Sequence, residues 1–184
     1  MKVLYATSNP NKIVSANRNL SPFDIEVKGV EVTNIQEIQT DNIQDKSVYK
    51  ARQAYKQVLR PLFVSDSGWN IPALSGFPGP MMSYINRWFD SKDFLNLMRN
   101  KRDRSIILIE CITYINADTL KVFKHEIKGE FLESEDGEGT SLDKIITFRE
   151  DKKSVARCQN EKILSIDQVE MWNEFGNYLR KNQQ

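Results

Sequence analysis

Val64-Ser65-Asp66-Ser67-Gly68-Trp69-Asn70-Ile71-Pro72-Ala73-Leu74-Ser75-Gly76-Phe77-Pro78-Gly79-Pro80 is the stretch whose reading decides the fold. It grows out of a short hydrophobic strand, Leu62-Phe63-Val64, set off by Pro61. Such a strand delivers Ser65-Asp66-Ser67-Gly68 to its end, where turn formers belong. Gly76, Pro78, Gly79 and Pro80 then read as a rigid loop. A carboxylate at a strand end can hold a divalent cation or orient a water. Asp-Ser-Gly is also a good helix or turn cap, and that plainer reading stands beside the first.

Upstream, Lys2 to Ala6 reads as a short buried strand that ends at Thr7-Ser8-Asn9-Pro10-Asn11-Lys12. A helix follows from about Lys12. Ile25 to Val32 reads as a second strand with a slip at Gly29, which suits a bulge or a turn. Asp41 or Asn42 can cap a helix carrying Ile43, Ser47, Ala51, Ala54, Tyr55 and Val58 on one face. Downstream, Trp88 to Met98 reads as helix. Ser105 to Ile115 reads as a strand with Ile107, Ile109, Cys111 and Thr113 on one face, joined to Leu120–Glu130 by a hairpin around Asn116-Ala117-Asp118. Ser134 to Thr140 is an acidic, glycine-bearing loop. From Asp167 onward Val169, Trp172, Phe175, Tyr178 and Leu179 recur at helical spacing, with Ser165 or Asp167 as cap. Strands separated by helices and followed by a hairpin give an α/β or α+β class with a mixed sheet.

With 184 residues the chain fits one domain, 1–184, with room for two lobes around a shared sheet. The 26 Lys and Arg nearly balance 25 Asp and Glu, so there is no basic excess for gripping a nucleic-acid backbone. A local site for a small anion needs no such excess. Cys111 and Cys158 form no metal-binding spacing, and one histidine, His125, cannot complete a zinc site with them. One disulfide between them is conceivable, but two reduced thiols in a cytoplasmic protein is the better reading. The longest apolar run, Ile106 to Ile109, is far too short for a bilayer, and no signal peptide opens the chain.

Four candidate groups carry chemistry. Thr7, Ser8, Asn9 and Lys12 sit at a strand end and helix mouth, where backbone N–H groups and the helix dipole favour an anion. The glycines of a Walker loop are absent. Asp66 is the second. Glu37, isolated among amides, and Lys50, on the helix before the Asp66 strand, are the third and fourth; alone, each reads as an ordinary surface residue.

Together these pieces resemble the inosine triphosphate pyrophosphatases, which hydrolyse non-standard purine nucleoside triphosphates. Ala6-Thr7-Ser8-Asn9-Pro10-Asn11-Lys12 resembles that family's phosphate-binding signature, Lys50-Ala51-Arg52 its Lys-Ala-Arg helix, and residues 64–80 its longest motif. The match covers roughly the first half of the chain, in order. The resemblance implies a two-lobed α/β fold around a long mixed sheet, and a homodimer with Met81 and Met82 near its contact. It implies that Thr7, Ser8, Asn9, Lys12, Ser67 and Gly68 bind substrate, with Lys152, Lys153 and Arg157 added from the second half. Glu37 and Asp66 would hold Mg2+, and Asp66 and Lys50 would be catalytic. Water would attack the α-phosphorus and pyrophosphate would leave.

The departures cluster in functional places. Ser65 stands where the family has the first acid of a pair, Asp45-Lys46-Ser47 where it has Glu-Asn-Ala, and Ser15 where it has a glutamate. Gly137-Glu138-Gly139 puts a carboxylate where the family has a base-stacking aromatic, and Ala156-Arg157-Cys158 replaces Ser-His-Arg. The phosphate half is kept and the base half rebuilt. The expectation is a nucleoside triphosphate pyrophosphatase with weak or reversed preference for inosine over adenine or guanine. The alternative is a nucleotide-binding relative with weak or no catalysis.

Overall fold

In the computed structural model, residues 1–182 are described, and they form a mixed sheet in the order β2-β1-β3-β5-β6-β7, with β4 on β3. The strands are β1 (Lys2–Ala6), β2 (Glu26–Val30), β3 (Leu62–Asn70), β4 (Pro78–Gly79), β5 (Ser105–Ile115), β6 (Leu120–Phe131) and β7 (Ile146–Thr147). The helices are α1 (Pro10–Leu20), α2 (Ile43–Val58), α3 (Met82–Ile85), α4 (Ser91–Met98), α5 (Val155–Glu161) and α6 (Val169–Lys181). β1 runs parallel to both β2 and β3, while β4 and β7 pair antiparallel with β3 and β6. The chain divides into two compact units, the first built from residues 1–66, 110–125 and the segment from Gln168, the second from 67–109 and 126–167.

The first unit has a sheet covered on both faces. Alternation along β1 and β3 sends Tyr5 and Phe63 to one face, where α1 and α6 bring Ala16, Leu20, Trp172, Phe175 and Leu179. The Tyr5 and Phe63 rings stack at 4.2 Å, and Phe175 meets Phe63 edge-on at 5.0 Å. Ala6, Leu62 and Val64 face the other way, against Ala51 and Ala54 of α2. Those alanines let the helix lie close to the sheet, and Ser47 shares a buried 2.8 Å hydrogen bond with Thr113 of β5. The second unit has its own core of Ile71, Phe94, Met98, Ile106, Phe131, Leu142, Ile145, Ile146 and Val155.

Several local expectations are corrected. β3 does not stop at Val64; it continues through Ser65-Asp66-Ser67-Gly68 to Asn70, because Trp69 and Asn70 pair with Gly79 and Pro78. The expected rigid loop therefore contributes β4, and Gly68 is a close-approach residue: a Cβ there would lie 3.0 Å from the Gly79 carbonyl oxygen. The slip at Gly29 is no bulge, since Gly29 stays in register opposite Tyr5 and makes room for Ile13. α1 starts at Pro10, which needs no N–H there, and β2 ends at Val30. α4 starts only at Ser91, since Asp90 and Asp93 form a capping box. In the outer half of β5 the buried residues are Ile106 and Leu108, not Ile107 and Ile109. Gln168, not Ser165 or Asp167, occupies the α6 N-cap, and its side chain makes no cap bond. Val169 is exposed, and Met171 takes its place in the core.

Candidate active site

Asn9 caps α1: its side chain accepts from the Asn11 N–H at 2.9 Å, while Thr7 accepts from the Asn9 N–H at 3.2 Å. Ser8 is exposed. Lys12, in the first turn, turns its ammonium toward β3, 3.5 Å from the Ser65 hydroxyl oxygen. Ser65 in turn shares a short hydrogen bond with the Tyr5 hydroxyl. Burial pushes the Tyr5 phenol up to about 12; the Ser65 hydrogen bond opposes that, and the Asp66 and Glu110 charges add to it. Tyr5 is thus a neutral hydroxyl that fixes Ser65.

Asp66 occupies the next position on β3 and faces α2. Lys50 donates to its Oδ1 at 3.0 Å, with the Asp66 side chain only 9% exposed. The other oxygen, Oδ2, is buried and has no hydrogen-bond partner. One turn earlier on α2, Lys46 pairs with Glu37 at 3.0 Å. The loop that carries Glu37 belongs to no strand, yet its backbone is gripped. Gln57 bonds the N–H and carbonyl of Thr33 at 3.1 and 2.7 Å, and Gln53 does the same to Gln36 at 3.0 and 2.7 Å. One helix therefore positions both predicted metal carboxylates.

Glu110, on β5, is a residue that the sequence reading passed over. Its Oε1 accepts from the Gln168 side chain at 2.8 Å, and its buried Oε2 has no partner. Burial raises this carboxyl to about 7, against the pull of the Gln168 hydrogen bond and the Lys12 charge. Lys12 is held below the ordinary lysine range first by desolvation of its ammonium and then by Lys50, with Asp66 and Glu110 pulling it back. The signal was present: Glu110 is the one charged side chain inside Ser105–Ile115, an otherwise apolar strand. Tyr5 and Gln168 were likewise unpredicted, because their roles arise from contacts between distant segments.

The first unit thus holds two ammonium groups, Lys12 and Lys50, and two carboxyl groups with an unpartnered oxygen, Asp66 and Glu110. The ammonium groups suit an anion bearing several oxygens, and the free Asp66 oxygen suits a cation or a water proton. Among the described residues no three His, Cys, Asp or Glu side chains gather as a metal cluster. A metal here would draw much of its coordination from its ligand's oxygens and water, which is the usual habit of Mg2+.

The predicted residues of the second unit are arranged differently. Ser67 is exposed and Gly68 is packed into the β3–β4 pairing. Lys152 pairs with Glu130, Lys153 with Glu161 at 2.6 Å, and Arg157 with both Asp136 at 3.1 Å and Glu161 at 2.9 Å. Gly137 and Gly139 press on α5: a Cβ at Gly137 would lie 2.7 Å from the Arg157 backbone N, and one at Gly139 2.9 Å from the Ala156 Cβ. The two segments assigned to the base half therefore do touch each other. Glu138 is exposed, its backbone held by the Asn160 side chain at 3.0 and 3.2 Å.

A profile of the Ham1 family matches residues 3–168. The chain belongs to the Ham1 family. A dITP/XTP pyrophosphatase of Methanopyrus kandleri is 31% identical to this Ham1 protein over 99% of the chain and 98% of the relative. One from Saccharolobus solfataricus is 30% identical over 88% of this chain and 84% of its own. Among solved structures, a HAM1 protein from Coxiella burnetii superposes with a TM-score of 0.80 at 20% identity, covering 98% of this chain and 99% of the other. The Staphylococcus aureus Ham1 protein gives 0.79 at 21% identity, with both chains fully covered. The expected family and its α/β fold with a long mixed sheet are thereby established.

Proposed function

We infer that this Ham1 protein is a nucleoside triphosphate pyrophosphatase that cleaves non-standard purine triphosphates of the dITP and XTP class to monophosphate and pyrophosphate. The observation that carries the reading is the Lys50–Asp66 pair with its free, buried Asp66 oxygen. It lies in a family whose relatives carry that activity in their names. Lys12 and Lys50 would neutralise phosphate oxygens, while Thr7, Ser8 and Asn9 would supply short polar contacts at the α1 start. Lys152, Lys153 and Arg157 are assigned to the rest of the nucleotide, as are Ser67 and Gly68.

Asp66 and Glu37 would hold Mg2+, which supplies charge neutralisation at the phosphates. Their chemistry fits: the Asp66 Oδ2 has no other partner, and α2 fixes both carboxylates. Asp66 would orient the attacking water from its free oxygen, and Lys50, bonded to the other oxygen, would fix its direction. Charge developing on the phosphates would fall to the two lysines. We assign the protein to the cytoplasm and to a homodimer joined near Met81 and Met82; sedimentation or light scattering tests the second point.

The function is tested with dITP, XTP, ITP, ATP and GTP in Mg2+, following pyrophosphate release. Release, with kcat/KM highest for the non-standard purines, is the expected result; the relatives' names favour it over the weak or reversed preference that the sequence alone suggests. Tight binding without release from any of the five would favour the catalytically weak relative, a reading that Ser65 at the place of an acidic residue supports. Equal rates across the panel would mean that the rebuilt Gly137–Gly139 segment and Arg157 no longer read the base.

A further inference from the structure

Ser65 puts a hydroxyl where the family resemblance implies a carboxylate, and two contacts decide what that hydroxyl can do. It lies two residues beyond Phe63 on β3 and so shares the face of the sheet that α1 and α6 cover. Tyr5 of β1 reaches it there through the phenolic hydroxyl, and Lys12 of α1 reaches it through the ammonium at 3.5 Å. Tyr5 is only 2% exposed, and Ser65 is the one hydrogen-bond partner of its hydroxyl. A hydroxyl offers one proton and two acceptor positions, whereas an ammonium only donates. Lys12 therefore takes one acceptor position of the Ser65 oxygen. Were Ser65 to donate to Tyr5, the phenolic proton would be buried with no acceptor, which costs free energy. Tyr5 is thus the donor and fills the second position. The proton of Ser65 then has no acceptor among the described residues, although its side chain is only half-buried.

We propose that Ser65 donates its hydroxyl proton to a phosphate oxygen of the bound polyphosphate, beside Lys12, and that Tyr5 is the positioning residue that turns this proton outward. The inference rests on the assignment of Lys12 to phosphate. It changes the meaning of the missing acid. An ionised carboxylate at this position only accepts, so it would serve a cation and repel an anion. A serine whose acceptor positions are both filled does the reverse and serves the anion. The two faces of β3 then divide the work. Ser65 and Lys12 address phosphate oxygens from the α1 side, while Asp66, with Lys50, keeps its free oxygen on the α2 side. Tyr5 contributes without touching the ligand, because its ring is stacked on Phe63 and its hydroxyl is spent on Ser65.

The test is calorimetry with inorganic tripolyphosphate, which carries no base, on the whole protein without added metal. Ser65→Ala is expected to weaken binding about tenfold, the ordinary loss of a hydrogen bond to a charged group. Ser65→Thr keeps the hydroxyl and is expected to stay within about twofold of the wild type. Ser65→Asp is expected to bind more weakly than Ser65→Ala, because it adds repulsion to the lost donor. Tyr5→Phe keeps the ring and removes only the phenolic oxygen. It is expected to weaken binding about threefold in the wild type and not at all in the Ser65→Ala protein, the mark of coupled residues. A merely structural role for Tyr5 would lower affinity equally in both backgrounds, and that result overturns the proposal. So does a Ser65→Ala or Ser65→Asp protein that binds as tightly as the wild type. Should Tyr5→Phe fail to fold, the Ser65 series still decides whether the hydroxyl binds. Lys12→Ala keeps the two levels apart. If it weakens binding and Ser65→Ala does not, the inference alone falls; if it leaves binding unchanged, the phosphate assignment falls and takes the inference with it.

Discussion

The two sets of charged residues assigned to substrate differ in how far the protein satisfies them. In the first unit, Asp66 and Glu110 each keep a buried oxygen without a partner, and Lys12 touches only a hydroxyl. In the second, every one of Lys152, Lys153 and Arg157 already holds a carboxylate, and Arg157 holds two. Exposed pairs of that kind cost little to break and stabilise little, so they form wherever opposite charges meet. A buried, unpartnered carboxylate oxygen is a standing cost that folding alone does not explain. The contrast separates charged groups that folding leaves partly unsatisfied from charged groups that are already paired.

The strongest way to break that contrast is Asp66→Asn. It preserves shape and removes the charge, and we expect a loss of about 10²-fold or more in kcat, with an unchanged circular dichroism spectrum. Unaltered turnover would remove Asp66 from the chemistry. Next in size is Lys12→Ala, expected to weaken triphosphate binding by about 1.5–3 kcal/mol while leaving nucleoside binding alone. Calorimetry with both ligands checks it, and equal losses would make Lys12 a residue of the fold.

Glu110→Gln sharpens the contrast through stability. The folded protein raises this carboxyl from about 4.5 to about 7, so between those values the native state binds more protons than the unfolded state. Native stability therefore falls as pH rises through that window, and the loss is complete above it. The variant has no such group, so its Tm should exceed that of the wild type at pH 8 by several degrees, and the difference should shrink at pH 5. Smallest of all, Lys153→Ala and Arg157→Ala should change tripolyphosphate affinity by less than about twofold, since each side chain is already neutralised. A tenfold loss in either would show that substrate pulls these pairs apart, and would erase the distinction between the units.

How much of this was legible in the sequence depends on the range of the contacts involved. Lys2–Ala6, Ser105–Ile115, the hairpin at Asn116 and the Asn42 cap of α2 all follow from local pattern, and the structure has them in place. Motif order also points to Lys12, Lys50 and Asp66, and the structure pairs Lys50 with Asp66 at 3.0 Å. The extension of β3 beyond Val64 was hidden because it depends on Pro78 and Gly79, and turn-like residues in a strand cannot be told from a turn without the partner. Glu110 was hidden for another reason. The odd-numbered residues of β5 carry the alternation visible in the sequence, and Glu110 lies on the other face with Ile112 and Tyr114. A lone acid in an apolar strand is itself a signal, and a sequence reading can use it.

The glutamine grip on residues 33–36 has a mechanical consequence. Gln53 and Gln57 stand one helical turn apart, and each treats a loop peptide as a neighbouring strand would, bonding its N–H and its carbonyl together. Lys46 and Lys50, also one turn apart, address Glu37 and Asp66. α2 thus acts as a gauge bar. Four side chains on one rigid rod set the spacing of a loop and a strand that have no sheet contact with each other. Between the gripped residues, Asn34 takes a left-handed backbone (φ 54°) and Ile35 packs against the α2 core, so the loop is held by its side chains as well as by the grip. A rotation of α2 about its own axis would displace both carboxylates at once, so the buried Ser47–Thr113 bond, which fixes that rotation against β5, sets the calibration of the gauge.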